Sequence, residues 1–272
     1  MDKKRYTIRD IALACGVSTA TVSYVLNDVK NQSISAETKN RILHYAHLVG
    51  YASSSSARAL ATGHSNAVGI YLPEGGDSRC RLLLLHALTS ELEASGMAAQ
   101  LLTQQCLHRT VTDVDAVFAV GVTVKEFRAI GENSFVPLLC LDGRIDDDLF
   151  YSVYFDAAAL RARAQALSGS RHIFLAAEPA RNENYRAHLA ESFDRCLSEE
   201  EALFSSPQGD SVVLTWQPLL AEAIRAQGGK AYCLGSWEFP LPYDAYAGRT
   251  IAIMKAAILR DSTPAEHDVP IR

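Results

Sequence analysis

The chain has 272 residues, with an apolar share of 48% and a formal net charge of −5. This length allows one small and one larger domain with a sizeable core. No run is long and apolar enough to cross a bilayer, and no apolar signal segment stands at the N-terminus, so we expect a cytoplasmic protein without membrane contact.

The stretch Tyr6–Asn27 predicts two short helices joined by a tight turn. The Thr7 hydroxyl can cap the first helix, and Asp10 in its first turn suits the positive helix start. The turn contains Gly16, which tolerates a positive φ that other residues resist. Ser18 is the expected cap of the second helix. The buried stripe of that helix is predicted to be Val22, Val25 and Leu26.

Two helices in this arrangement suit a DNA groove, because a recognition helix presents its N-terminal residues to base edges. The alternative is a small helical hairpin in an ordinary core, since caps and helical periods are common. The residues left for the outer face and first turn of the second helix are Thr19, Ala20, Thr21, Ser23 and Tyr24.

A third helix is predicted to start at Ser35 and to end at Gly50, with Lys39 and Arg41 available for phosphate contacts. The stretch Ser53–Gly63 follows. Its serines suit a flexible linker, whereas its ARALA segment favours a helix. Residues 1–63 hold 8 Lys and Arg against 4 Asp and Glu (+4), and the remainder holds 18 against 27 (−9). A basic N-terminal segment followed by an acidic remainder is typical of a chain whose N-terminal segment binds phosphate groups.

The segments TIRDIALACGVSTATVSYVLN, ISAETKNRIL, VGY and ARALATG resemble the lactose-repressor (LacI/GalR) family of transcription regulators over residues 6–70. The resemblance implies that Ser53–Thr62 is a hinge helix that folds on the operator and wedges Leu60 into the minor groove, which kinks the duplex. The DNA contacts it implies are Thr7, Ser18, Thr19, Ala20, Thr21, Ser23, Tyr24, Asn27, Ser55, Arg58 and Leu60.

Two positions depart from the family pattern. Many relatives carry Arg at the position of Tyr24, so we expect a different operator preference. A Pro-Asn pair is common where this chain has Ala52-Ser53-Ser54, so we expect weaker folding of the hinge.

From Ala67 onward, predicted strands alternate with predicted helices, which indicates mostly parallel sheets flanked by helices. The predicted strands are Ala67–Leu72, Met97–Leu102, Asp115–Val120, Val136–Leu141, His172–Ala176, Ser211–Thr215 and Ala231–Leu234. The predicted helices are Arg79–Ser95, Ala157–Leu167, Asn184–Leu197, Leu219–Gln227 and Arg249–Arg260.

By the resemblance, residues 1–52 form an all-α helix-turn-helix headpiece and residues 53–66 the hinge and linker. Residues 67–272 form an α/β periplasmic-binding-protein-like domain of two parallel-sheet lobes, about 67–154 and 155–238, that share the C-terminal tail. We expect this domain to be shortened. Only Thr103–Val114 separate the second and third strands, the lower limit for a helical crossover. Only Ser198–Asp210 stand where relatives place another strand and helix.

The resemblance puts an effector in the cleft, beyond the carboxyl ends of the strands. Asp142 follows a predicted strand and is either a ligand of sugar hydroxyls or a turn aspartate. Arg186 matches a family arginine approximately, and a solvated helix arginine is the alternative. Trp216 and Trp237 stand where relatives carry polar sugar-binding residues. They either stack on a ligand or fill space left by lost elements.

No nucleophile elbow, phosphate-binding glycine loop or His-Glu-x-x-His motif is present, so we expect no enzyme. The cysteines are scattered without a Cys-x-x-Cys pair, so we expect no metal or cofactor. The sequence therefore predicts a homodimeric repressor that binds a palindromic double-stranded operator and is controlled by a sugar or nucleoside. The alternative is a C-terminal domain that serves only dimerisation or a protein partner.

Overall fold

The computed structural model describes residues 7–26, 33–49, 65–75, 78–204, 209–259 and 266–272. The chain divides into two compact units, Met1–Gly63 and His64–Arg272. The first is helical and the second contains all the described strands. Among the described residues, no helix combines the length and hydropathy needed to span a bilayer.

The described part of the first unit consists of three helices around one small core. The helices are α1 (Ile8–Cys15), α2 (Thr19–Leu26) and α3 (Ala36–Leu48). Apolar side chains from all three helices are buried together, which fixes the angles between them. The core consists of Ile11, Ala12, Cys15, Val22, Val25, Ile42 and Ala46.

The predicted caps Thr7, Gly16 and Ser18 are confirmed, and the predicted end of the third helix, Gly50, lies outside the described residues. Thr7 and Asp10 form a capping box: the Thr7 hydroxyl accepts from the Asp10 amide at 3.3 Å, and the Asp10 carboxylate accepts from the Thr7 amide at 2.8 Å. Gly16 ends α1 with φ of 62°. The Ser18 hydroxyl accepts from the Thr21 amide at 3.0 Å and starts α2. Local sequence signals therefore fix both ends of the turn.

The second unit contains two parallel sheets, each belonging to one lobe. The lobe 1 sheet has the order β10-β5-β4-β3-β1-β2, and all its pairings are parallel. Its strands are β1 (Ala67–Tyr71), β2 (Ala98–Leu102), β3 (Ala116–Val120), β4 (Leu138–Leu141), β5 (Tyr151–Phe155) and β10 (Asp268–Ile271). The helices that accompany it are α4 (Ser78–Ala94), α5 (Val124–Glu132) and α10 (Tyr243–Ile258).

The lobe 2 sheet has the order β7-β6-β8-β9 and is also parallel throughout. Its strands are β6 (His172–Ala176), β7 (Arg195–Leu197), β8 (Ser211–Thr215) and β9 (Ala231–Cys233). Its helices are α6 (Ala157–Ser168), α7 (Glu183–Ser192), α8 (Glu199–Phe204) and α9 (Pro218–Ala226). One apolar core runs through both lobes and includes Leu84 of α4, Phe155 of β5 and Leu214 of β8.

Several predicted elements need correction. The predicted helix Asn184–Leu197 is wrong at its end, because α7 ends at Ser192 and the last three residues pair with β6 as strand β7. Helix α8 follows within the segment where we expected no further strand or helix. The strand and helix that we expected to be missing are therefore present in short form. The strand has three residues, and its pairing with β6 defines it rather than its own sequence pattern.

The expected loss after β2 is confirmed. The residues between β2 and β3 form a single 3-10 turn, Gln104–Leu107, in place of a crossover helix. As a result most of edge strand β2 is exposed to solvent. Helix α5 and strands β5 and β10 were not predicted. The last helix, α10, begins six residues before the predicted Arg249.

Candidate functional site

The second helix of the helix-turn-helix presents a polar outer face. Thr19 and Ala20 in its first turn are exposed, and Tyr24 one turn later is 39% exposed. Ser18 and Thr21 have a structural role, because their hydroxyls are 2.9 Å apart and close the helix start. Ser23 is half-buried. The side chains free to reach a ligand outside the helix are therefore those of Thr19, Ala20 and Tyr24.

The same unit carries exposed basic side chains on its other two helices. Arg9 on α1 and Lys39 and Arg41 on α3 are exposed. Exposed guanidinium and ammonium groups near a polar helix can bind the phosphates of a duplex. Of the remaining predicted DNA contacts, Thr7 is the N-cap of α1. Four others lie outside the described residues: Asn27, Ser55, Arg58 and Leu60.

The second unit contains a cleft at the carboxyl ends of the strands, between lobe 1 and lobe 2. Its cavity volume is about 370 Å³, near the lower end of the range of small-molecule sites. Asp142, Arg186 and Trp216 line this cavity, so the structure brings together three of the predicted effector residues. Trp237 does not line it and is 88% exposed, so it neither faces a ligand there nor fills internal space.

Asp142 lies directly after β4 with φ of 52°. Its amide donates to the Tyr246 hydroxyl of α10 at 2.9 Å, and that hydroxyl donates to the Val153 carbonyl of β5. Burial raises the pKa of Tyr246 well above its ordinary value, so the hydroxyl remains a donor. Helix α10 therefore fixes the backbone at the floor of the cleft.

Arg186 and Trp216 contribute differently to the cleft. Arg186 is an exposed residue of α7, and its guanidinium donates to the Ala180 carbonyl at 3.0 Å. Trp216 is half-buried, and its ring centroid is 6.5 Å from that of Phe155 in the core. Trp216 thus both extends the core and presents ring surface to the cavity.

A run of three lobe 2 residues, Arg181–Glu183, crosses the cleft and binds lobe 1. We call it the clasp. The Arg181 guanidinium lies 2.5 Å from the Glu126 carboxylate of α5 and donates to the Glu74 carbonyl at 2.9 Å. The Glu183 carboxylate accepts from the Val124 amide at 3.1 Å. The clasp therefore supplies an anion to the positive N-terminus of α5.

Asn182 is the centre of the clasp and is fully buried. Its amide nitrogen donates to the Val122 carbonyl at 3.1 Å. Its side-chain oxygen accepts from the amides of Arg144 at 3.1 Å and Tyr185 at 2.9 Å. A buried amide is tolerated when its hydrogen-bonding groups are paired, and here the pairing joins two lobes.

The carboxylates of the clasp region are held ionised. Burial alone raises the pKa of Glu126, but hydrogen bonds from Thr123 and the Arg181 guanidinium lower it overall. The hydrogen bond from the Val124 amide lowers the pKa of Glu183. Both side chains therefore carry charge at neutral pH, which maintains the ion pair of Glu126 with Arg181 and strengthens the hydrogen bond of Glu183 with the Val124 amide.

Gly143 lies where lobe 1 meets the clasp. A Cβ atom at this position would lie 2.9 Å from the Cys140 sulfur and 3.1 Å from the Asn182 amide nitrogen. The close approach of Cys140 and Asn182 together therefore favours a residue without a side chain at position 143.

Sequence reasoning missed the clasp. Asn182 carries a readable local signal, since it caps α7 through its hydrogen bond to the Tyr185 amide. That local function gives no hint that the same side chain also binds a carbonyl of the other lobe, sixty residues away in the chain.

Comparison with known proteins gives a family match for the first unit and a fold match for the whole chain. The family model for bacterial regulatory proteins, lacI family, matches residues 7–54. The chain is 39% identical over 72 residues to the HTH-type transcriptional regulator GalS of Salmonella typhimurium, which is 26% of this chain and 21% of that protein. It is 25% identical over 169 residues to catabolite control protein A of Staphylococcus epidermidis, which is 57% of this chain and 50% of that protein. The chain thus aligns with a fifth to a half of the length of these relatives.

The fold has a solved counterpart. A crystal structure of the Lac repressor dimer bound to operator and the anti-inducer ONPF superposes with a TM-score of 0.67 at 15% identity, covering 98% of this chain and 96% of that one. Fold and site therefore define a protein with a helix-turn-helix headpiece and a two-lobed periplasmic-binding-protein-like domain. The headpiece sequence over residues 7–54 is similar to the lacI family of bacterial regulatory proteins, and the likeness of the whole chain to the Lac repressor structure concerns the fold.

Proposed function

We propose that this protein is a transcriptional regulator that binds a palindromic DNA operator as a homodimer in the cytoplasm and acts as a repressor. The observation that carries the proposal is the exposed face of α2. That face presents Thr19, Ala20 and Tyr24 on a helix whose start and preceding turn are fixed by Ser18 and Gly16. In this proposal those three side chains read base edges, and the exposed cations of α1 and α3 bind phosphates.

A homodimer follows from the size of the reading helix. One α2 of eight residues reaches a short half-site only. Two copies related by a two-fold axis read an inverted repeat, with half-sites about 34 Å apart in common helix-turn-helix dimers. The hinge over Ser53–Thr62, with Leu60 as its minor-groove wedge, belongs to the proposal on the sequence resemblance alone. The domain limits 1–52, 53–66 and 67–272 belong to it as well.

Selection from a pool of random double-stranded oligonucleotides at low ionic strength tests the proposal. The full chain is expected to enrich an inverted repeat, and raising the salt concentration is expected to weaken binding, because phosphate contacts release counterions. The variant with both Thr19→Val and Tyr24→Ala is expected to lose the enriched motif. Leu219→Gln, an exposed change in the other unit, is the matched control and is expected to keep it. Enrichment of no inverted repeat by the unmodified chain would refute the proposal.

Leu60→Ala tests the hinge separately. If Leu60 wedges the minor groove, the substitution weakens binding to the selected site more than binding to random DNA. Equal losses on both would remove the wedge from the proposal and leave base reading by α2 intact.

The second unit is proposed as the controlling domain, with a small-molecule effector in the cleft. Similar proteins include the sucrose operon repressor of Klebsiella pneumoniae, whose name refers to a sugar. Asp142, Arg186 and Trp216 line the cavity and are the proposed contacts. An effector that binds two arrangements of the lobes unequally shifts the balance between them, and this would change the spacing of the paired headpieces.

One observation favours a second candidate, a domain used only for dimerisation or for a protein partner. The clasp joins the lobes through the chain's own groups, so this arrangement needs no ligand to hold it. A thermal-shift screen separates the two candidates, because a ligand selective for the folded state raises the melting temperature. A rise with any small molecule supports the controlling domain, and its absence throughout the screen supports the second candidate.

A further inference from the structure

The clasp changes what the cleft can offer a ligand. At the carboxyl ends of β3 and β4, the Val122 carbonyl and the Arg144 amide are bonded to Asn182. Backbone groups in this position could otherwise form hydrogen bonds with the hydroxyls of a polar ligand. In this protein a side chain of lobe 2 occupies them.

The cations around the cavity are also bonded within the chain. Arg81 donates to the carbonyls of Pro73 at 3.0 Å, of Gly121 at 3.3 Å and of Gly75. Arg181 is bonded to lobe 1 within the clasp. A ligand that needs these groups must displace bonds already made, so it gains little from them.

The carboxylate of Glu201, at the lobe 2 end of the cavity, is engaged in the same way. It accepts from the Ser198 amide at 2.9 Å and lies 3.9 Å from the Arg195 guanidinium. Arg81, Arg181 and Glu201 are therefore used to hold the protein's own loops. Asp142, Glu178 and Arg186 also line the cavity.

The apolar part of the cavity wall comes mainly from lobe 2. It extends from α6 and the end of β6 across the inner face of α7 to the ends of β7 and β8. The large side chains on this wall are Leu160, Leu175, Leu189, Phe193, Leu197 and Trp216. A wall of this kind stabilises a ligand in proportion to the apolar area that it removes from water.

We propose that the cleft binds a small molecule whose body is an apolar ring or a short alkyl group, in preference to a free sugar rich in hydroxyls. This inference rests on the proposed effector function and specifies its ligand class. A sugar would bury hydroxyls against Leu189 and Phe193 without partners, which is unfavourable. An apolar body gains from the same surface, and a volume of about 370 Å³ accommodates one ring or one short chain.

Trp216 provides a direct readout of occupancy. The chain has two tryptophans, and Trp237 is 88% exposed and outside the cavity wall. In the full chain carrying Trp237→Phe, the fluorescence emission therefore comes from the indole that lines the cavity. A ligand that lies against this ring replaces the water around it and changes its emission.

The experiment titrates this variant with butanol, pentanol and hexanol, with indole, and with glucose, galactose and ribose. We expect saturable changes with the alkanols and indole, and an affinity that rises about fourfold for each added methylene, as expected for apolar burial. We expect no saturable change with the free sugars. Leu189→Gln, which puts an amide on the apolar wall, is expected to reduce the gain per methylene to less than twofold. The exposed change Leu219→Gln is its matched control and is expected to leave the series unaltered.

A saturable response to a free sugar with none to the alkanols and indole would overturn the inference, and so would the absence of a response to every probe. An alkanol series that is equally steep in Leu189→Gln would also overturn it, because the probes would then bind elsewhere. Operator selection by the same protein preparation keeps the two proposals distinguishable. Enrichment of an inverted repeat without binding of apolar probes refutes the ligand class alone, and loss of both refutes the regulator as well.

Discussion

Asn182 of lobe 2 donates a hydrogen bond of 3.1 Å to the Val122 carbonyl of lobe 1, and its side chain is fully buried. Asn182→Ala should therefore destabilise the second unit, because it leaves buried backbone groups in both lobes without partners. We expect a loss of roughly 1–3 kcal/mol for each group left unsatisfied, measured by urea unfolding of the full chain.

Asn184→Ala is the matched control, since the same helix carries it and its amide makes one partly buried bond of 3.3 Å to the Arg144 carbonyl. Its expected cost is about 1 kcal/mol or less. Equal losses for the two variants would show that Asn182 is not the centre of the clasp.

The contacts of the clasp should weaken in acid. The amide of Val124 lowers the pKa of Glu183 below its ordinary value of 4.5 in the folded protein. The unfolded chain then binds the proton more readily, so the contribution of Glu183 to stability is complete above pH 4.5 and is lost as the pH falls through the lower, folded pKa. In Glu183→Gln this part of the pH dependence should be missing. Unfolding curves measured at several pH values test this, with Glu200→Gln on the exposed face of α8 as control. If the two variants showed the same pH dependence, the bond between Glu183 and Val124 would not be stabilising.

Position 16 should tolerate asparagine better than alanine. Gly16 has φ of 62°, and a Cβ atom there would meet no atom within 4 Å. The cost of Gly16→Ala is thus backbone strain alone, about 1–2 kcal/mol. Asparagine adopts the left-handed region more readily, so Gly16→Asn should cost less. Hydrogen exchange of the α1 and α2 amides measures both, and a larger loss for Asn than for Ala would contradict this account of the turn.

Tyr24→Arg should change the preferred operator and leave the fold intact. Tyr24 is 39% exposed and stands one turn after the start of α2. An arginine can donate two hydrogen bonds to guanine in the major groove, so guanine should gain roughly 1–3 kcal/mol at one position of each half-site. Repeating the selection with this variant tests the assignment. Arg41→Gln is the control, and it should weaken all sites alike. An unchanged base profile in Tyr24→Arg would remove Tyr24 from the reading face.

The sequence predicts best what depends on neighbours in the chain. The capping box of Thr7 and the positive φ of Gly16 are encoded within a few residues, and α1 and α2 form where they were expected. Strand β7 was missed because three residues carry too short a pattern, and its pairing with β6 is what defines it. Strand β10 was missed for a similar reason, since it completes the lobe 1 sheet by pairing with β5 more than a hundred residues away.

The same distinction separates the residues of the candidate site that could be predicted from those that could not. Asp142 could be assigned to the cleft because it follows a strand, and parallel strands direct their carboxyl ends to one edge. Trp216 was assigned from its position in the family pattern. Trp237 lies four residues after the last strand of lobe 2 and is exposed to solvent. A position after a strand therefore does not by itself determine whether a side chain reaches the cavity. The clasp, which lies beside the cavity, depends on contacts between the lobes.

Gly143 of lobe 1 packs closely against Asn182 of lobe 2, so the space at position 143 depends on the distance between the lobes. A single methyl group at residue 143 would lie 2.9 Å from the Cys140 sulfur within lobe 1 and 3.1 Å from the Asn182 amide nitrogen of lobe 2. Replacement by alanine would thus strain the end of β4 and the contact between the lobes together, without touching the apolar wall.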